Sequence, residues 1–115
     1  MSMLNGENYD VFYEPESRTV IFSGTLRLSG MDDYAPILDL LRSTLDGSPA
    51  PVTLDLRELE FLNSSGITMF SKFVIEVREC ARAELHLLAS KDIPWHSRSL
   101  KNLQRLMPSL SIDLA

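Results

Sequence analysis

The sequence has a single cysteine, Cys80, so it can form neither an internal disulfide nor a cluster of thiolate metal ligands. A reducing, cytoplasmic location is therefore expected. Long apolar runs are also missing, since none approaches the roughly 20 residues that a membrane-spanning helix needs. The first eight residues lack the basic and apolar regions of a signal peptide. The sequence thus predicts a protein that has no membrane partner.

Positive charge is scarce as well. Eleven Lys and Arg residues stand against sixteen Asp and Glu residues, which gives a formal net charge of -5 at pH 7. Proteins that bind nucleic acid show the opposite balance because they neutralise phosphates, so nucleic acid is not expected as a partner. The composition, 44% hydrophobic and 23% charged over 115 residues, is that of a globular protein. This length leaves room for a single domain, residues 1–115.

Hydrophobic periodicity predicts the element order β-β-α-β-α-β-α-β. Strands are predicted at 9–13 and 18–28, forming a hairpin, and at 52–56, 85–89 and 110–114; helices are predicted at 34–45, 66–82 and 100–107, and 57–62 is interpreted as a connection. Ser29 or Asp32 is expected to cap the first helix, and 46–49 to close it. Strands that alternate with single helices favour right-handed parallel crossovers. We therefore expect an α/β fold with a mixed, mostly parallel sheet, an N-terminal β-hairpin and covering helices.

A polar stretch, Asn63-Ser64-Ser65-Gly66, lies where a predicted strand ends and the longest predicted helix begins. At least one of these residues should cap the helix by accepting hydrogen bonds from its free N–H groups. Capping alone is the simplest explanation of such a stretch, but two adjacent serines exceed what one cap requires. The same position would tolerate a phosphate on Ser64 or Ser65, because a helix N-terminus favours negative charge.

The segment Phe61-Leu62-Asn63-Ser64-Ser65-Gly66-Ile67 resembles the signature of STAS domains (sulfate transporter and anti-sigma factor antagonist), specifically the small stand-alone bacterial antagonists. The usual signature in that family is Asp-Ser-Ser/Thr-Gly followed by an apolar residue. The residue after the Asp is phosphorylated by a partner anti-sigma kinase and dephosphorylated by a phosphatase. The resemblance implies a STAS fold with Ser64 as the phosphoacceptor. Asn63 departs from the signature, since it caps a helix as well as Asp does but carries no charge.

The resemblance also implies a partner-binding surface around the motif, made of Asn63, Ser64, Ser65 and Gly66. On the helix that follows, Met69 and Lys72 fall outside the apolar stripe at about 100° per residue and lie next to Ser65. Met69 is expected there as an exposed, adaptable apolar contact. A solvated face without a partner is the alternative interpretation of this flank.

The sequence therefore predicts a non-enzymatic protein-binding switch. The unmodified surface would bind an anti-sigma factor or a related serine kinase, and phosphorylation of Ser64 would release it. The chain has no phosphate-loop, dinucleotide-binding or hydrolase motif, and its two histidines lack metal-ligand spacing, so neither a cofactor nor a metal is expected.

Three alternatives stay open at the level of sequence. Because Asn63 is uncharged, the chain could instead be a STAS scaffold or sensor that is never phosphorylated. A serine-dependent hydrolase or transferase would need His86 or His96 beside the hydroxyl of Ser64 or Ser65. The sequence also leaves self-association of the domain open.

Overall fold

The computed structural model describes residues 2–45, 51–79 and 84–114, which form one six-stranded sheet and three helices. The strands are β1 (Ser2–Asn5), β2 (Tyr9–Glu14), β3 (Thr19–Leu26), β4 (Val52–Leu62), β5 (Leu85–Ala89) and β6 (Ser111–Leu114). The helices are α1 (Met31–Ser43), α2 (Ser64–Glu79) and α3 (Pro94–Leu106). The predicted closing turn at 46–49, Cys80 and the predicted end of the second helix lie outside the described residues.

The strands lie side by side in chain order, from β1 to β6. The pairs β1–β2 and β2–β3 are antiparallel, whereas β3–β4, β4–β5 and β5–β6 are parallel. Each parallel crossover contains one helix, and α2 packs between α1 and α3, so the helices form one layer over the sheet. The predicted mixed, mostly parallel sheet with an antiparallel opening hairpin is confirmed.

The core lies between the sheet and this helix layer. Phe22 of β3 and Phe70 of α2 pack edge to face with their ring centroids 5.2 Å apart, and Tyr34 of α1 is fully buried. On the outer side, the Arg42 guanidinium donates to both carboxylate oxygens of Glu76 at 2.8 and 2.9 Å, which links α1 to α2. Among the described residues, no helix combines the length and apolar character needed to cross a membrane.

Strand β4 is longer than predicted, because it runs through 57–62 instead of ending before it. Its register against β3 shifts twice, between Ile21 and Ser23 and between Gly24 and Thr25. Along the end of β4 the buried residues consequently come at every third position: Leu56, Leu59 and Leu62. These irregularities remove the period of two by which a strand is identified, so the interpretation of 57–62 as a connection was wrong.

The end of β4 extends past its neighbour β5, which pairs only with Val52–Asp55. Two side chains from the first turn of α3 bind the carbonyl groups on that side. Trp95 Nε1 donates to the Glu60 carbonyl at 3.2 Å, and His96 Nε2 donates to the Leu59 carbonyl at 3.1 Å. The first turn of α3 therefore supports the strand end that leads into α2.

Three further predictions differ from the structure. Helix α3 begins at Pro94, six residues before its predicted start. Strand β1 was not predicted, since its four residues are too few to show alternation and it owes its conformation to pairing with β2. Helix α1 begins at Met31 with Gly30 as its N-cap and no side-chain cap, so neither Ser29 nor Asp32 caps it. The Asp33 carboxylate instead accepts a hydrogen bond of 3.3 Å from the backbone N–H of Ser29.

Candidate functional site

The helix α2 is capped by Asn63, as the motif predicted of at least one of its residues. Asn63 Oδ1 accepts hydrogen bonds from the Gly66 N–H at 3.0 Å and from the Tyr34 hydroxyl at 2.6 Å. Its Nδ2 donates to the Leu28 carbonyl at 2.8 Å, and its backbone carbonyl accepts from the Ile67 N–H at 3.0 Å. One amide side chain thereby joins the segment after β3 to α1 and to the start of α2.

This hydrogen-bond network explains why an amide, and not a carboxylate, precedes the serines. The Gly66 N–H needs an acceptor and the Leu28 carbonyl needs a donor; an amide side chain offers both, whereas an ionised carboxylate only accepts. An ionised aspartate in the same position would place an oxygen about where Nδ2 lies, 2.8 Å from the Leu28 carbonyl oxygen. The departure of Asn63 from the STAS signature is therefore accounted for by its local structure.

Tyr34 was identified from the sequence only as an apolar position of the first helix. Its ring is fully buried, and its hydroxyl bonds Asn63. Burial raises the pKa of Tyr34 above 10.0; a backbone hydrogen bond with Leu28 acts in the opposite direction. A tyrosine on the buried face of a helix needs a partner for its hydroxyl, which is the one sequence signal that this role offered.

Gly66 is buried and closely surrounded. A Cβ atom on Gly66 would overlap the side chain of Leu62 and would lie 2.8 Å from the Tyr34 hydroxyl oxygen. The glycine is therefore needed for space, since a larger residue would separate Tyr34 from the cap.

The two serines differ in their surroundings. Ser64 is the first residue of α2 and is exposed; within the described part of the chain, its hydroxyl makes no hydrogen bond. Its carbonyl accepts a hydrogen bond from the Thr68 hydroxyl at 3.0 Å. Ser65 is half-buried, and no acidic residue lies in the first turn of α2. Because Asn63 provides the cap, the Ser64 hydroxyl has no part in holding the helix start.

Met69 corrects the predicted partner surface. It is fully buried, and so is not the exposed contact that the sequence predicted. Around the helix axis, at about 100° per residue, the buried face of α2 is bounded by Met69 on one side and Val74 on the other. The centre of this face is turned towards Met69 relative to the centre of the predicted apolar stripe. The face is wide because α2 packs against α1 and α3 as well as the sheet. Lys72 is exposed, as is Ser64, whereas Asn63 is half-buried.

Neither histidine lies beside the serines of the motif. His96 is fully buried, with the Ser90 N–H donating to its Nδ1 at 2.9 Å and its Nε2 bound to the Leu59 carbonyl. Burial lowers the pKa of His96 below 6.5. His86 pairs with Thr53, which lies at the start of β4, whereas the motif follows the end of β4. At the usual rise of a strand, these two ends are about 30 Å apart. The hydrolase alternative therefore has no histidine base beside its serine.

Within the ranges 2–45, 51–79 and 84–114, no group of three His, Cys, Asp or Glu side chains comes together in a way that could hold a metal ion.

The strand order, the single layer of helices and the start of α2 define a STAS-type fold, which confirms the fold that the sequence resemblance implied. Two solved structures are similar over 100% of both chains. The first is the crystal structure of diguanylate cyclase SiaD in complex with its activator SiaC from Pseudomonas aeruginosa, with a TM-score of 0.76 and 13% identity. The second is SiaC of Pseudomonas aeruginosa, with a TM-score of 0.73 and 15% identity.

The crystal structure of apo-SiaC from Pseudomonas aeruginosa is also similar, with a TM-score of 0.72 and 15% identity over 99% of this chain and 98% of that one. No protein-family model and no curated protein matches the sequence. At such low identity, the similarity to these structures establishes the fold.

Proposed function

We propose that this chain is a protein-binding switch without catalytic activity, with a docking surface at the start of α2 that is controlled by phosphorylation of Ser64. The observation that carries this proposal is the separation of roles between two adjacent residues. Asn63 caps the helix, while the Ser64 hydroxyl is exposed and bonded to no described residue. A kinase can therefore modify Ser64 without breaking a hydrogen bond of the described fold.

A phosphate on Ser64 would change the surface more than the fold. It adds a charge of about -1.5 to -2 at neutral pH. At the first position of a helix this charge faces the positive end of the dipole, and the first turn of α2 contains no acidic residue to repel it. A partner that had to desolvate the phosphate without offering a cation would bind about a hundredfold more weakly.

The resemblance to stand-alone antagonists supports an anti-sigma factor or related serine kinase as the partner, with a phosphatase to reverse the modification. The similarity to SiaC, which is described as the activator of a diguanylate cyclase in complex with it, supports a protein partner in signalling. We assign the docking contacts to Ser64, Ser65 and Lys72. Asn63 and Gly66, which are less exposed, hold the start of α2 in place beneath these contacts. Met69 is not among these contacts because it is buried.

The test is phosphorylation of the full chain by a serine kinase of the anti-sigma factor type, followed by intact-mass measurement. We expect the gain of one phosphoryl group in the wild type and in Ser65→Ala, and none in Ser64→Ala. A phosphoryl group that persists in Ser64→Ala would show that the acceptor is misassigned. If the kinase binds the chain but transfers no phosphate, the non-phosphorylated scaffold is the better description.

Binding is tested separately with the same kinase and unmodified protein. Lys72→Glu should weaken binding, because it reverses the charge of an exposed residue on the docking flank. The matched control is Lys91→Glu in the exposed turn before α3, which should bind as the wild type does. Equal binding by both variants would place the docking surface elsewhere.

A further inference from the structure

The groove between α3 and β6 has features that the switch at α2 does not use. β6 is the last strand in the sheet order, and no described strand pairs with its outer edge. The groove has a volume of about 160 Å³, and its lining includes Leu100, Ile112 and Leu114. Leu114 is 39% exposed. An apolar groove thus runs beside a strand edge whose backbone N–H and C=O groups pair with no strand of the described ranges.

The helix beside this groove is basic. Arg98, Lys101 and Arg105 are exposed, and α3 contains no acidic residue, although the whole chain has a net charge of -5. None of the three cations forms an ion pair with another described residue. Their spacing of three and four residues places them on one side of the helix, and Lys101 lines the groove itself. Lys101 therefore gives the groove a positive rim on an otherwise acidic protein, and Arg98 and Arg105 extend this charge over the adjoining outer side of α3.

We propose that the α3–β6 groove binds an extended, acidic segment of a partner protein, which adds to the sheet as a strand next to β6. Free backbone groups at a sheet edge pair with an extended chain, and alternate side chains of that chain then face the same side. Apolar side chains at some of these same-side positions would contact Leu100, Ile112 and Leu114, and acidic side chains at other positions on that side would pair with Lys101.

The charge of the rim also selects against a second copy of this chain. Symmetric pairing of two β6 edges would place one α3 next to the other, and so would bring two sets of Arg98, Lys101 and Arg105 together. Facing like charges disfavour such a contact. An acidic partner segment meets no such repulsion. The proposal concerns a surface separate from Ser64 and does not depend on its phosphorylation.

The test uses the ¹⁵N-labelled full chain and a synthetic peptide, capped at both ends, in which valine and glutamate take turns at every second position and threonine fills the positions between them. We expect saturable amide shifts in β6 and along the side of α3 that faces it. The same peptide with lysine in place of glutamate should bind at least about fivefold more weakly. Lys101→Glu should weaken binding of the glutamate peptide about fivefold, whereas Lys91→Glu, outside the groove lining, should leave it unchanged.

Several results would overturn the proposal. One is the absence of shifts in β6 and α3 at millimolar concentrations of the glutamate peptide. Equal binding of the lysine peptide would remove the argument from charge, and shifts confined to β1 or α2 would place the binding site elsewhere. Shifts in β6 that depend on protein concentration without any peptide would identify a second copy as the occupant. Lys101 is exposed, so its substitution should leave the fold intact, and the unchanged part of the spectrum verifies this.

Discussion

The Tyr34 hydroxyl donates a hydrogen bond of 2.6 Å to Asn63 Oδ1, which connects α1 directly to the cap of α2. The same amide holds the Leu28 carbonyl and the Gly66 N–H. The position of Ser64 is consequently fixed by its neighbours and not by contacts of its own side chain. The following predictions concern this network, the adjoining support from α3 and the proposed modification.

Tyr34→Phe should lower the free energy of unfolding by about 1–2 kcal/mol, because the ring stays but Asn63 loses a buried hydrogen-bond donor. Urea unfolding at neutral pH measures the loss. Tyr13→Phe is the matched control, since Tyr13 is half-buried and no described residue bonds its hydroxyl. Equal stability of Tyr34→Phe and the wild type would mean that the bond contributes nothing to folding.

The phenol of Tyr34 also predicts a dependence on alkaline pH. Burial raises its pKa above 10.0, so the folded state holds this proton more tightly than the unfolded state does. The resulting stabilisation is complete below pH 10 and is lost as the pH rises through the higher pKa of the folded state. Absorbance titration should show one of the three tyrosines ionising late, and this late step should be missing in Tyr34→Phe.

Asn63→Asp should lower the free energy of unfolding by about 1–3 kcal/mol at pH 7, since the new oxygen would face the Leu28 carbonyl. At pH 4 the loss should be smaller, because a protonated carboxyl group can donate to that carbonyl as the amide does. Asn8→Asp, at an exposed position, supplies the control for added charge. A loss that grows as the pH falls would contradict the role assigned to Leu28.

Gly66→Ala should destabilise the protein by about 1–3 kcal/mol, because the added methyl group overlaps Leu62 and approaches the Tyr34 hydroxyl. Gly30→Ala is the control, since a Cβ there meets no atom within 4 Å. Both substitutions restrict the unfolded chain equally, and helix propensity favours alanine at Gly66, so a greater loss of stability at Gly66 must come from crowding. Thermal unfolding of the two variants is sufficient, and equal midpoints would refute the steric argument.

His96 predicts a loss of stability at mildly acidic pH. Its pKa in the folded state lies below 6.5 because the ring is buried, and protonation would put a proton on Nδ1 against the Ser90 N–H. Its contribution is complete above pH 6.5 and decreases as the pH falls towards the folded-state pKa. Urea unfolding at pH 7.5 and 5.0 should show the decrease in the wild type and in His86→Gln. If the decrease in stability at pH 5.0 were missing in His86→Gln, then His86, and not His96, would be its cause.

Ser64→Asp should leave the fold intact and raise the free energy of unfolding by about 0.3–1 kcal/mol, because it puts a negative charge at the first position of α2. The control is Ser64→Asn, which has nearly the same shape without the charge. The gain should shrink in high salt. Destabilisation by the aspartate alone would indicate that a phosphate at this position disturbs the fold.

The sequence predicted those features that depend on neighbouring residues. The helix start at Asn63, with its cap and the serines behind it, is encoded within a few positions, and the element order followed from periodicity. The hydroxyl of Tyr34 could not be assigned in this way, because its partner lies 29 residues away in the chain.

The wrong predictions for β4 and Met69 have the same cause, because both features depend on residues that are distant in the chain. The extent of β4 depends on its irregular register with β3, and the burial of Met69 depends on the helices on both sides of α2. Neither arrangement leaves a periodic trace in the segment concerned. The predicted cap of α1 was wrong for a different reason: the N-cap is Gly30, which has no side chain that could accept a hydrogen bond.

The last part of β4 pairs with a described strand along only one of its edges. Beyond Asp55 it is paired on one edge with β3, and residues 56–62 extend for about 20 Å to the Asn63-Ser64-Ser65-Gly66 motif. Elsewhere in this part of β4, backbone carbonyls accept hydrogen bonds from the side chains of Trp95 and His96. The first turn of α3 therefore helps to position Ser64, together with β3 and the Asn63 hydrogen bonds, although α3 contributes no residue to the motif.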